Sequence, residues 1–286
     1  MATVGLALGG GGAKGLAHIA ALEVIDRLGV EVVSVSGTSI GAIIGTLYAS
    51  GLSASEIHEA INGLLDQPRS FEEALKSKRF FGWLELLDLE LGRSHVLQAE
   101  GFIAELKNIV GVDNFEDLKL PMHVIAADFW NREEVVFKSG PIMPAVSASF
   151  CLPGVFKPVV IDGKVLVDGG CVNPVPFDVI RDHSDVVIAI DVLGQREPGE
   201  DLLPSYSEAL FNTFQIAEKT IVNQKMKTAA PDIYIEPAIK DVRVLEFQKS
   251  AEIFEQSAPE CARLEREMKA LIQKDGRSIF AKLLKR

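Results

Sequence analysis

Cysteine is scarce. The chain of 286 residues carries three, Cys151, Cys171 and Cys261, too widely spaced for a zinc cluster and odd in number for a disulfide framework. They read as reduced thiols packed in a core. Positive charge is also in deficit, with 29 Lys and Arg against 40 Asp and Glu, a formal net charge of -11 and a pI near 5.0. Such a surface repels phosphate backbones, which excludes nucleic acid as a partner and disfavours anionic membranes, apart from the basic C-terminus. No uncharged apolar run reaches the roughly 18 to 20 residues that span a bilayer, so any membrane contact is peripheral. A basic n-region and a cleavage site are missing before the first apolar run at residues 3–8, so the expected location is cytoplasmic.

What is present is enough apolar residue for a substantial core: 48% of the chain is hydrophobic and 24% charged. The length allows one domain or two. A single domain over 1–286 is expected, with a motif-bearing core at 3–192 and a helical C-terminal part at 205–286. A short apolar run ends in four glycines, and residues 13–28 follow with apolar groups at helical spacing. Residues 30–35 form a second β-branched run, and 40–49 read as a buried helix. This βαβα opening predicts an α/β fold, a three-layer α/β/α sandwich with a mostly parallel central sheet. Further strands are expected at 122–127, 133–138, 159–162, 164–167, 185–191 and 232–235. Helices are expected near 53–65, 98–110 and 207–228, and at 249–274, broken near Pro259.

Three segments carry chemistry. Gly10-Gly11-Gly12-Ala13-Lys14-Gly15 joins a strand to a helix, where backbone amides can face an anion. It also matches the dinucleotide fingerprint, but the second strand ends Val33-Ser34-Val35-Ser36-Gly37 without the carboxylate that a ribose requires. At that strand end stands Gly37-Thr38-Ser39-Ile40-Gly41, a G-x-S-x-G between strand and helix. This context holds a serine up on a sharp turn, with the helix dipole and the Ile40 amide near it. A base is then needed. None of His18, His58, His95, His123 and His183 lies at a strand end followed by small residues, so packing, capping or solvation accounts for each. Asp168-Gly169-Gly170 does follow an apolar strand, and it precedes Asn173-Pro174, which reads as a helix start. The two glycines clear space for a carboxylate to reach Ser39, although a plain aspartate turn would look the same.

Together and in this order, the glycine loop with its basic residue, the G-x-S-x-G elbow and the Asp-Gly-Gly closely resemble the patatin-like phospholipase family. The likeness extends to Ser147-Ala148-Ser149-Phe150-Cys151-Leu152-Pro153-Gly154-Val155-Phe156-Lys157-Pro158 and to Asn173-Pro174-Val175-Pro176. The resemblance implies a Ser39/Asp168 dyad without histidine, an oxyanion hole from the Gly10, Gly11 and Gly12 amides, and hydrolysis of fatty acyl esters of lipids with no metal or organic cofactor. Lys14 stands where many members have arginine, so a planar bidentate contact is lost if that residue grips phosphate.

Two rival functions share these residues: acyl transfer to an alcohol or thiol from the same site, and lipid or nucleotide binding without turnover. Oligomeric state is not legible. Two segments are candidates for contact with a lipid surface. Residues 71–91 are rich in Phe, Trp and Leu and read as a lid or a packed helix pair. Residues 274–286 read as a basic amphipathic helix or a docked terminus.

Overall fold

The computed structural model describes residues 3–66, 100–194, 203, 204 and 206–283. The first strand, β1 (Val4–Leu8), is buried along its whole length, as a central strand covered on both faces must be. It pairs in parallel with β2 (Val32–Thr38) on one edge and β7 (Val186–Ile190) on the other, and β8 (Ile233–Ile235) extends the β7 side, also in parallel. On the β2 side, β3 (Met122–Asp128) pairs in parallel. β4 (Glu133–Phe137) and β6 (Lys164–Asp168) both run antiparallel to β3, and β5 (Val159–Ile161) forms a hairpin with β6. The order is β5-β6-β3-β2-β1-β7-β8, with β4 attached to β3.

Successive side chains of a strand point to opposite faces, so β1 feeds two cores. Val4, Leu6 and Leu8 enter the larger one, beneath α1 (Ala17–Leu28), α2 (Ile40–Ala49), α3 (Ala54–Asp66), α4 (Glu100–Val110), α5 (Ile142–Ser149) and α7 (Ser250–Leu283). Ala7 enters the smaller one with Val175, Phe177, Ile180, Val187 and Val222, the last from α6 (Tyr206–Thr228). Helices therefore cover both faces, and the expected three-layer α/β/α sandwich is the observed one. Helix α2 is apolar nearly all round because it is buried nearly all round. At α3, Ser53 and Glu56 form a reciprocal cap: the Ser53 amide donates to Glu56 Oε2 at 2.8 Å, and the Glu56 amide to Ser53 Oγ at 3.3 Å.

Two expectations fail. Helix α7 runs unbroken through Pro259. Ile253 before the proline and Cys261, Leu264 and Met268 after it are all buried in the same core, and packing on both sides outweighs one lost backbone donor. Asn173-Pro174 starts no helix. The buried Asn173 side chain instead donates to Glu134 Oε1 at 2.7 Å and to Asp178 Oδ1 at 3.1 Å, and it accepts from the Lys225 ammonium of α6. These bonds pin the segment as a loop. Residues 71–91 lie outside the described residues, and α7 is described as far as Leu283.

Candidate active site

Ser39 is the single residue between β2 and α2, with φ 55° and ψ -122°, a region that costs a non-glycine residue about 1–3 kcal/mol. The residues two positions away on either side must be glycine for steric reasons. A Cβ on Gly37 would lie 2.4 Å from the Gly41 carbonyl oxygen, and one on Gly41 would lie 2.1 Å from that of Leu8. A Cβ on Gly15 would strike the Ile40 side chain at 2.4 Å, so the glycine loop and the elbow pack directly on each other. The G-x-S-x-G spacing is thus the condition for placing a serine on this turn.

Strand register brings Asp168 to the same point. Ile125 and Ala126 of β3 both pair with β4 along one edge. On the opposite edge Thr38, at the end of β2, faces Ile125, and Asp168, at the end of β6, faces the next residue, Ala126. Strands β2 and β6 run in opposite directions along that edge, so their C-terminal ends meet. Ser39 Oγ donates to Asp168 Oδ2 at 2.7 Å, and the Gly170 amide donates to Asp168 Oδ1 at 2.8 Å. Asp168 is 3% exposed, and burial pushes its carboxyl from the ordinary 3.8 up to about 6 against the opposing pull of these two hydrogen bonds.

The segment at the end of α5 holds both residues by their backbones. The Ser39 amide donates to Ser149 Oγ at 2.9 Å, and the Asp168 amide donates to the Cys151 carbonyl at 3.0 Å. Thr38 Oγ1 donates to the Asn173 carbonyl at 2.7 Å, which ties the loop after Asp168 to β2. Gly169 must lack a side chain as well, since a Cβ there would sit 2.4 Å from the Ile125 carbonyl oxygen.

Within the glycine loop the amides are divided. Gly10 N–H is given to the Pro174 carbonyl at 2.9 Å and Ala13 N–H to the Val244 carbonyl at 2.7 Å, so both serve the fold. Gly11 and Gly12 line the cavity in front of Ser39. Lys14 is 2% exposed and its charge acts on the carboxylate of Glu218, so it is not displayed where a head group would arrive from solvent. His18 is fully buried, its Nε2 lies 2.8 Å from the Gly9 carbonyl, and burial lowers it to about 4. It braces the loop. His58 stacks on Phe254, and His123 lies against His183. Among the described histidines, none is bonded to Ser39. The described residues contain no group of three or more His, Cys, Asp or Glu able to hold a metal ion.

Ser39 and Asp168 line a cavity that opens to solvent. Its lining is mostly apolar, with Ile43, Leu64, Phe102, Phe150 and Phe156, and Phe211 and Phe214 from α6. A serine hydroxyl, a buried carboxyl and a hydrocarbon-lined space meet here.

Residues 6–181 match the family model described as patatin-like phospholipase. The chain belongs to the patatin-like phospholipase family. It is 32% identical over 211 residues to an uncharacterized NTE family protein of Mycobacterium tuberculosis, a stretch that is 73% of this chain and 54% of that protein. It is 34% identical over 211 residues to human patatin-like phospholipase domain-containing protein 6, again 73% of this chain but 14% of the relative. The chain therefore spans about half, or much less, of the length of these relatives. Among solved structures it is similar in fold to VipD from Legionella pneumophila, with a TM-score of 0.53 and 15% identity over 93% of this chain and 67% of that one.

The site includes a second buried carboxyl that the sequence motifs do not contain. Glu218 of α6, 5% exposed, lines the cavity beside Ser39 and Asp168. Its signal is a carboxylate on the face that Phe211, Phe214, Val222 and Lys225 otherwise turn inward, visible at helical spacing once α6 is assigned.

Proposed function

We propose that this chain is a serine acyl hydrolase that cleaves fatty acyl esters of lipids. The observation that carries the reading is the 2.7 Å hydrogen bond from Ser39 Oγ to Asp168 Oδ2 in the lining of an apolar cavity. A carboxyl raised to about 6 is ionised at neutral pH, yet more basic than an ordinary aspartate. It takes the Ser39 proton as Oγ attacks the acyl carbonyl. The negative charge that develops on the carbonyl oxygen falls to the amides of Gly11 and Gly12, with the N-terminus of α2 behind Ser39. Asp168 then passes the proton to the leaving alcohol oxygen, and an acyl-Ser39 ester remains. Water, deprotonated by the same carboxylate, releases the fatty acid and restores the serine hydroxyl. The apolar walls take the acyl chain, and the open mouth admits the water.

Lys14 is assigned to the interior of the site, beside Glu218, and the specificity for a head group is assigned to residues at the mouth. The whole chain acts as one domain, and its contact with a lipid surface is peripheral. No helix among the described residues is long and apolar enough to cross a membrane. The test is hydrolysis of a panel of esters and phospholipids by Ser39→Ala and Asp168→Asn, each checked for folding by circular dichroism. Each loses several orders of magnitude in turnover, and the double variant is little worse than either, because the pair acts as a unit. Full activity in either folded single variant overturns the dyad.

A further inference from the structure

Helix α6 lies beyond the residues that the family model matches, yet it closes one wall of the site. Phe211, Phe214 and Gln215 face the cavity, Glu218 follows one turn on, and Lys225 two turns later binds the Asn173 loop. The Glu218 carboxyl is seated on the backbone of the Asp-Gly-Gly turn: a Cβ on Gly170 would lie 2.1 Å from its Oε1. The amide of the same Gly170 donates to Asp168. One glycine therefore separates two buried carboxyl groups, and Glu218 Oε1 occupies the space its side chain would take.

The two carboxyls are not equivalent. Asp168 accepts hydrogen bonds from Gly170 N–H and Ser39 Oγ, both of which favour its ionised form. Glu218 accepts none from the described residues. We propose that Glu218 is a positioning residue for the catalytic base: the two carboxyls share one negative charge, the hydrogen bonds keep it on Asp168, and loss of the Glu218 proton sets the alkaline limit of turnover. The titratable groups facing Glu218 are Asp168 at the end of β6, Asp191 after β7, Lys14 in the glycine loop and the Cys171 thiol next to Gly170, itself pushed up to about 12. Burial, then Asp168 and Asp191, push Glu218 well above the usual carboxylate range, and Lys14 alone opposes them. Two carboxylates in one dry site cannot both ionise cheaply. Once Glu218 ionises, its charge opposes the oxyanion, and Asp168 holds more tightly the proton that the leaving alcohol needs.

This inference rests on the dyad, and the experiment separates the two. Values of kcat and KM for a soluble short-chain ester are measured from pH 5 to 10 in the wild type and in Glu218→Gln, which is neutral at every pH and close in shape. The wild type loses kcat on the alkaline side, about tenfold per pH unit once Glu218 ionises. Glu218→Gln does not, and its KM follows that of the wild type. Superimposable profiles, with Ser39→Ala and Asp168→Asn both inactive, overturn the role of Glu218 and leave the dyad standing. Activity in Ser39→Ala or Asp168→Asn removes the dyad itself. Carbon-13 titration of the carboxyls in the wild type, where both hydrogen bonds to Asp168 are intact, gives an answer even where Glu218→Gln does not fold. Glu218 titrating above Asp168 supports the proposal, and Glu218 titrating below it overturns the proposal.

Discussion

Replacing Asp168 by Asn removes a buried negative charge and should stabilise the protein while abolishing catalysis. A carboxyl whose folded pKa lies above its unfolded value weakens the fold as it ionises. The penalty is absent below the unfolded value of 3.8, grows as pH rises, and is complete above the folded value of about 6. That difference of about 2 pH units corresponds to about 3 kcal/mol, an upper figure because the asparagine amide bonds Ser39 less well than the carboxylate does. The Gly170 amide keeps an acceptor in the variant. Thermal or urea unfolding of both proteins between pH 4 and pH 8 measures the effect. At pH 8 the variant is more stable by up to about 3 kcal/mol, a rise in Tm of roughly 5 °C, and the gap closes towards pH 4. A gap that is nil at pH 8, or that does not narrow on acidification, would refute the claim that burial raises Asp168.

Three further outcomes follow from the geometry. The kcat/KM of the wild type falls about tenfold per pH unit below about pH 6, as Asp168 takes up its proton, and a profile flat down to pH 4.5 contradicts the assignment of the base. Ser149→Ala leaves the Ser39 amide without its 2.9 Å acceptor and lowers stability by about 1–3 kcal/mol with a matching loss of turnover; unfolding curves identical to the wild type would show that this bond does not hold the elbow. Gly12→Ala drives a Cβ to 2.2 Å from the Val244 carbonyl oxygen, at a φ of 60°, so both Tm and turnover drop, and an unchanged Tm would remove the crowding argument.

Much of the site was legible because its constraints are local. The glycines of the elbow are dictated by atoms within a few residues or on the adjoining strand, and a G-x-S-x-G between strand and helix carries that requirement in its letters. The central strands were legible as apolar runs for the same reason, although β2 extends through Gly37 and Thr38, further than its β-branched residues suggest, because Gly37 still pairs with Leu8. What could not be read depends on distant partners. The Gly10 amide, expected to bind the oxyanion, is given to Pro174, a contact that exists only once the loop after Asp168 has folded back. Asn173 is held as a loop by Glu134, Asp178 and Lys225. Helix α5 was not assigned, and its Pro144 falls in the first turn, where a missing N–H costs nothing. Glu218 belongs to a helix whose place over Gly170 no local pattern discloses.

The most direct test of the account is covalent. A fluorophosphonate that mimics the tetrahedral intermediate is incubated with the protein, which is then digested and its adduct located by mass spectrometry. The account predicts one adduct per chain, on Ser39, absent from Ser39→Ala and strongly slowed in Asp168→Asn. An adduct on another residue, or ester hydrolysis that survives full modification of Ser39, would contradict it.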